Sequence, residues 1–133
     1  MKNKLLLSMA AATVVTLSGC TTIADMAGAD TATLNASASQ SYNAMVNDAK
    51  NKGQLDTSSA TYKRINNVFN RLKPVANQMN QTGTAFQWQL AVLKSDQVNA
   101  FVAPGGKVVF YTGIVNKLNL TDAEIAAIMG HEM

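Results

Sequence analysis

The spacing of apolar residues predicts two amphipathic helices in the first half of the chain. The first is predicted from about Gln40 to Lys52, with Gly53 placed to end it. Its apolar residues recur every three or four positions and are Tyr42, Met45, Val46 and Ala49. Such spacing places them on one face of a helix, so we expect that face to pack against a core.

A second and clearer helix is predicted after a polar segment that contains Thr57 and Ser58, which are placed to open it. Its apolar stripe consists of Tyr62, Ile65, Val68, Phe69 and Leu72. Proline removes a backbone donor and clashes with the preceding turn, so Pro74 is expected either to kink this helix or to end it. The stripe is interpreted as a core-packing face.

The second half of the chain changes to a pattern typical of strands. From Phe86 to Leu93, large apolar residues alternate with polar or small ones, which predicts a strand with one buried face and with Trp88 in the core. Segments 98–103 and 107–111 predict two more strands joined by a tight turn at 104–106. The predicted fold class is α+β, with N-terminal helices beside three strands that form a small antiparallel sheet or include a hairpin.

The turn between those strands is Pro104-Gly105-Gly106. Proline fixes one turn position and glycine permits positive φ, so we assign the two glycines to turn geometry rather than to catalysis.

A last helix is predicted at the end of the given sequence. Thr121 and Glu124 match a capping box, in which each side chain accepts a hydrogen bond from the backbone N–H of the other residue. An apolar stripe follows and consists of Ile125, Ile128 and Met129. The helix then reaches His131 and Glu132, so it presents a histidine and a carboxylate near its end.

The first residues have the composition of an export signal. Lys2 and Lys4 precede an uncharged apolar stretch, 5–17, which is too short to span a bilayer but has the length of a signal-peptide core. The stretch runs into Leu17-Ser18-Gly19-Cys20, which resembles a bacterial lipobox. We therefore expect residues 1–19 to be a lipoprotein signal peptide and Cys20 to carry the lipid.

Residues 20–40 are rich in Ala, Ser and Thr and are expected to form a flexible tether. The domain is then expected to occupy 41–133. Cys20 is the only cysteine, so no intramolecular disulfide is available. Because Thr21 rather than aspartate follows the lipidated cysteine, we expect an outer-membrane lipoprotein that faces the periplasm and reaches the membrane through its lipid.

The charge balance gives no support for nucleic-acid binding. Eleven basic residues less Lys2 and Lys4 of the expected leader leave nine, against eight acidic residues, so the remaining net charge is +1. No basic run interleaved with aromatic residues occurs in the sequence. A nucleic-acid partner is therefore not expected.

His131-Glu132 is the first half of the motif H-E-x-x-H, in which two histidines on one helix face bind zinc and the glutamate acts as general base. Alone, the dipeptide is weak evidence, because a single histidine on a helix is usually a surface or core residue. The surrounding motifs strengthen it and comprise segments 99–101, 104–107, 111–113 and 120–133. In combination they resemble the zinc metallopeptidase family of the CAAX prenyl proteases and HtpX, and most closely its periplasmic lipoprotein members of the BepA and LoiP types.

The resemblance covers about Tyr42 to Met133 and implies a site. His131 would be the first ligand of one Zn²⁺ ion, and Glu132 would be the general base. Asn99 and Ala100 match the segment that lines the cleft, where an extended peptide would add to the sheet edge. Asn99 is equally consistent with a turn or strand-end residue. The family pattern places a second histidine and a third ligand, usually glutamate, beyond Met133, so we expect the 133-residue polypeptide to be an inactive fragment of a metallopeptidase domain.

The resulting hypothesis is a zinc-dependent metalloendopeptidase of the bacterial cell envelope, acting on unfolded or misassembled envelope proteins. A different class remains open, namely a non-catalytic lipoprotein that binds unfolded or outer-membrane proteins through its hairpin edge. A third alternative is that the 133-residue chain does not fold stably by itself.

Overall fold

The computed structural model describes residues 30–133, which contain four helices and four strands. The α+β class is therefore confirmed. In chain order the elements are α1 (Thr31–Asn51), β1 (Leu55–Asp56), α2 (Ala60–Gln78), β2 (Gln89–Leu93), β3 (Ala100–Ala103), β4 (Lys107–Tyr111), α3 (Thr112–Lys117) and α4 (Asp122–Glu132). The expected signal peptide 1–19, Cys20 and residues 21–29 of the expected tether lie outside the described residues. Within 30–133 every helix is too short or too polar to cross a bilayer.

The sheet has four strands in the order β1-β2-β4-β3. The predicted hairpin is confirmed, because β3 and β4 pair antiparallel from Ala100 with Phe110 to Ala103 with Lys107. The observed sheet is mixed rather than wholly antiparallel, and it has one strand more than the three that the sequence predicted. Strand β2 pairs with β4 in parallel, and the two-residue strand β1 pairs antiparallel with β2.

The parallel pairing follows from the route of the chain. After β2 the chain passes through residues 94–99 to β3 at the edge of the sheet, and then folds back as the hairpin, which places β4 beside β2 in the same direction. Residue alternation predicts strands but not which strands are neighbours. The sequence therefore did not show that β4, rather than β3, lies beside β2. Strand β1 is too short to show any alternation.

Helix α1 begins at Thr31, well before the predicted start at Gln40. The Asp30 side chain caps it by accepting a hydrogen bond from the Thr33 backbone N–H at 2.7 Å. Residues 31–40 of the expected tether are therefore helical. Composition was misleading here, because alanine is both common in linkers and the strongest helix former. The predicted end is confirmed, since Gly53 follows the helix with a φ of 66°.

Helix α2 is capped by Ser59 rather than opened by Thr57 and Ser58, and the Ser59 hydroxyl accepts from the Tyr62 N–H at 3.0 Å. It continues through Pro74 to Gln78, so the proline does not end it. The predicted stripe is confirmed, because Ile65, Val68 and Phe69 are buried and Tyr62 and Leu72 pack against the same core.

Strand β2 starts at Gln89 rather than at Phe86, and the residues just before it include an aromatic cluster. The ring centroids of Phe86 and Trp88 lie 4.9 Å apart, and Trp88 also makes a T-shaped contact with Phe69 of α2, with ring centroids 6.2 Å apart. Trp88 is partly buried against the core, as predicted, and its Nε1 donates to Asn77 at 2.7 Å.

The two faces of the sheet contribute to two apolar cores. Alternate strand residues such as Val108 and Phe110 face α2, α3 and α4, whereas Val109 faces α1. All three are fully buried, and burying a side chain of this size stabilises the fold by about 1.5–3 kcal/mol. The sheet therefore lies between α1 on one side and the other helices on the opposite side.

Candidate active site

The helix that carries the His-Glu pair begins with the predicted capping box. The Glu124 carboxylate accepts from the Thr121 N–H at 2.7 Å, and the Thr121 hydroxyl accepts from the Glu124 N–H at 3.3 Å. The hydrogen bonds from Thr121 hold the pKa of Glu124 below its ordinary value. The start of α4 is thus fixed locally, as the sequence predicted.

Two further interactions hold α4 in the fold. Ile125 and Met129 are fully buried in the core between α2 and the sheet, and Ile128 packs against that core. Arg64 of α2 donates from Nε to Asp122 at 2.7 Å and from Nη2 to the Leu120 carbonyl at 2.6 Å. The helix is therefore anchored along its buried face and at its N-terminus.

His131 and Glu132 lie in the last turn of α4 with exposed side chains. Neighbouring residues on a helix point about 100° apart, so the two side chains do not face each other. A catalytic zinc site needs three protein ligands, and residues 30–133 contain no group of three histidine, cysteine or carboxylate side chains that could hold a metal. These residues alone therefore supply one candidate ligand and do not complete a zinc site.

The other predicted site residues lie at the edge of the sheet. Asn99 is exposed and directly precedes β3, and Ala100 is the first residue of that strand. In the part of the chain that the structure describes, no strand pairs with the outer side of β3. The ladder position that was expected to receive an extended peptide is thus open.

The register decides which backbone groups face this open side. Tyr111 donates its backbone N–H to the Asn99 carbonyl at 3.1 Å, so Asn99 and Tyr111 form a hydrogen-bonded pair. Hydrogen-bonded and non-hydrogen-bonded pairs alternate along an antiparallel ladder. Phe101 therefore also bonds to β4, whereas the backbone groups of Ala100 and Val102 point away from it toward the open edge.

This register refines the predicted peptide-binding residues. The carbonyl of Asn99 is used inside the sheet, so only its exposed side chain remains for a ligand, while Ala100 offers both its N–H and its C=O. Val102 presents the same two backbone groups to the open side, although the sequence did not single it out. The hairpin turn at 104–106 is the sequence signal for Val102. The turn sets the register of the two strands, and the register determines which residues of β3 turn their backbone groups outward.

The edge strand and α4 are packed together. The side chains of Ala100 and Val102 lie against the same core as Ile125 and Met129, and α4 contacts β3 directly. The structure thus brings the helix that carries His131 to the strand that carries Ala100.

Thr112 and Gly113 at the start of α3 form hydrogen bonds with the segment 94–99, which leads to β3. Gly113 donates its N–H to the Ser95 carbonyl at 2.7 Å, and the Thr112 hydroxyl accepts from the Ser95 N–H at 3.1 Å. A Cβ on Gly113 would lie 2.5 Å from backbone atoms of Asp96 and Gln97. Only glycine allows this close approach, which fixes the segment leading to Asn99.

Comparison with known proteins gives two findings. A relative is the protein described as mitochondrial metalloendopeptidase OMA1 of Arabidopsis thaliana, which is 44% identical over 46 residues. That match covers 35% of this chain and 9% of the relative, so the chain spans only a small part of that protein. No solved structure matches the chain.

The sequence pattern of peptidase family M48 matches residues 59–133, which are more than half of the 133 residues. The match runs from the cap of α2 through β2, β3 and β4 to the His-Glu pair, whereas α1 and β1 lie outside it. The chain belongs to peptidase family M48.

Proposed function

We propose that the protein is a zinc-dependent metalloendopeptidase that cleaves extended polypeptides. The observation that carries the proposal is the packing of α4, with His131 and Glu132 in its last turn, against an edge strand whose outer side is open among the described residues. Membership in peptidase family M48 supports the same reaction.

Each site residue has a role in this proposal. The exposed imidazole of His131 serves as one zinc ligand, and Glu132 accepts the proton of the attacking water. A bound zinc ion would supply Lewis acidity at the scissile carbonyl. Ala100 and Val102 hold the substrate through backbone hydrogen bonds, with the Asn99 side chain at the start of the strand. Because residues 30–133 do not supply the remaining ligands, a polypeptide of these residues alone is proposed to be inactive.

The proposal extends to the cellular setting. The lipobox-like segment before Cys20 supports a lipoprotein of the bacterial cell envelope, and Thr21 supports the periplasmic face of the outer membrane. Unfolded or misassembled envelope proteins are the proposed substrates, since an edge strand binds backbone groups that folded proteins keep paired.

One observation favours a second function. The peptide-binding edge is present within the described residues whereas the full ligand set is not, so a polypeptide of these residues is suited to binding unfolded chains without cleaving them. A binding lipoprotein is therefore the alternative.

Zinc content distinguishes the metalloendopeptidase from the binding lipoprotein. The gene product, translated through its own stop codon, is expected to bind one zinc ion per chain and to cleave casein, and His131→Ala is expected to lose both properties. The 133-residue polypeptide is expected to lack both. Casein binding by the gene product without zinc and without cleavage would instead establish the binding lipoprotein.

A further inference from the structure

A small cavity lies beside the edge strand, on the face of the sheet opposite to α4. Its volume is about 130 Å³. This is close to the roughly 150 Å³ of an apolar protein cavity that holds a benzene molecule. The lining residues come from α1 and β3 and are Ala38, Ser41, Tyr42, Met45, Phe101 and Ala103. It is therefore large enough for one branched aliphatic or phenyl side chain.

The pleat of β3 connects this cavity to the proposed substrate path. Side chains of Ala100 and Val102 face α4, whereas Phe101 faces the α1 side and lines the cavity. A peptide added to the outer side of β3 would continue the pleat, because side chains directly opposite each other in a sheet lie on the same face. The peptide residue opposite Phe101 would then have its side chain on the α1 side.

We propose that the cavity between α1 and β3 is a substrate subsite that selects an apolar side chain on the peptide face turned away from α4. This inference rests on the proposed function, because it requires a peptide paired with β3. It makes α1 a specificity element of the enzyme, although α1 lies outside the segment that matches the family.

The lining side chains determine which kind of substrate side chain the cavity would prefer. None of the six lining side chains carries a charge in its ordinary state, and burial raises the pKa of Tyr42 to about 12, which keeps its phenol neutral. A charged substrate side chain would lose water without gaining an ionic partner. Leucine, valine or phenylalanine would bury apolar surface against Met45 and Phe101.

The test uses fluorescein-labelled peptides of roughly ten residues, about the upper length of an ordinary strand. Their sequence is built from Ser and Ala, with one leucine moved position by position. Binding is measured by fluorescence anisotropy and cleavage by kcat/KM, with the full gene product. The variant Ala38→Leu fills the cavity, and Ala44→Leu makes the same change at an exposed position of α1 outside the cavity.

Leucine is expected to improve affinity or kcat/KM by about tenfold at one position, with no gain at the positions directly before and after it. Ala38→Leu is expected to abolish this gain, and Ala44→Leu is expected to retain it. Equal gains in wild type and Ala38→Leu would overturn the subsite while leaving the peptidase proposal intact.

The remaining outcomes are also decisive. Binding without cleavage would refute the peptidase proposal, and the subsite would still be judged by the leucine preference in binding. Absence of both binding and cleavage by wild type would refute the peptidase proposal and the subsite. Self-association that sedimentation detects in wild type and that Ala38→Leu removes would assign the cavity to a second copy of the chain and overturn the subsite.

Discussion

Arg64 of α2 holds Asp122 at the first turn of α4, with its Nε 2.7 Å from the carboxylate Oδ1. The same guanidinium donates from Nη2 to the Leu120 carbonyl, so one side chain connects α2 to both the loop before α4 and the helix itself. The position of the His131-Glu132 turn therefore depends on a residue far away in the sequence.

Replacing Arg64 with alanine is expected to lower the free energy of unfolding by about 1 kcal/mol. The ion pair is partly exposed and contributes little by itself, but the hydrogen bond to the Leu120 carbonyl adds to it. For a domain of this size the melting temperature should fall by about 4–8 °C. Arg71→Ala, an exposed position on the same helix, is the control and should change stability by less than about 0.5 kcal/mol. Equal losses in both variants would contradict the anchoring role of Arg64.

Gly113→Ala is expected to destabilise the fold by about 1–3 kcal/mol, because the new methyl group would meet the backbone of Asp96 and Gln97 at 2.5 Å. Gly130 of α4 is the matched control, since a Cβ there meets nothing within 4 Å. Gly130→Ala should stabilise the helix by about 0.5–1 kcal/mol. Chemical denaturation measures both changes. A neutral Gly113→Ala would show that the 94–99 segment is not held against α3.

Asp56 makes stability depend on pH. Burial by itself would raise the pKa of this carboxyl, but hydrogen bonds from the Ser59 hydroxyl and from the backbone N–H groups of Ser59 and Ser58 outweigh it, and Lys94 lowers the pKa further. The pKa therefore lies below its ordinary 3.8. The ionised Asp56 carboxylate stabilises the fold in full above its ordinary pKa of 3.8. This stabilisation is lost as the pH falls through the lowered pKa of the folded state.

Asp56→Asn should accordingly lower the free energy of unfolding by about 1–3 kcal/mol near neutral pH. The difference from wild type should shrink as the pH falls below 3.8. Urea denaturation over an acid series measures this. Asp48→Asn, which removes an exposed pair with Lys52, is the control and should show a difference of less than about 0.5 kcal/mol. A pH-independent effect of Asp56→Asn would contradict the assignment.

The register of the edge strand can be tested with proline, which removes one backbone donor. The Ala100 N–H faces the open side, so Ala100→Pro should fold and should lower kcat/KM for peptides about tenfold. Phe101 donates into the sheet, so Phe101→Pro should lose its near-ultraviolet circular dichroism through unfolding. If Ala100→Pro folds and cleaves peptides at the wild-type rate, the substrate does not use this edge.

The sequence alone predicted the parts of the fold that depend on neighbouring residues. The Thr121-Glu124 capping box, the 104–106 turn and the α2 stripe are local patterns, and each is confirmed. The parallel pairing of β2 with β4 was not predictable from alternation, because alternation is the same in either direction. The early start of α1 was hidden by a composition shared with linkers.

In the candidate site, too, the sequence predicted the local features but not those that depend on distant residues. The sequence placed His131 and Glu132 on the last helix. The open-edge position of Val102 became clear only from the register of β3, and the cavity exists because α1 packs across Phe101. These features depend on residues far apart in the chain, and no local pattern records them.

The central claim is that Glu132 is the general base of a peptidase. Its most direct test is the cleavage of casein by the gene product, its Glu132→Gln variant and the matched Glu124→Gln variant, which preserves the capping box with an uncharged side chain. Glu132→Gln is expected to lower kcat by about 10²–10⁴-fold with zinc content unchanged, and Glu124→Gln should retain wild-type kcat. Equal kcat in wild type and Glu132→Gln would contradict the assignment.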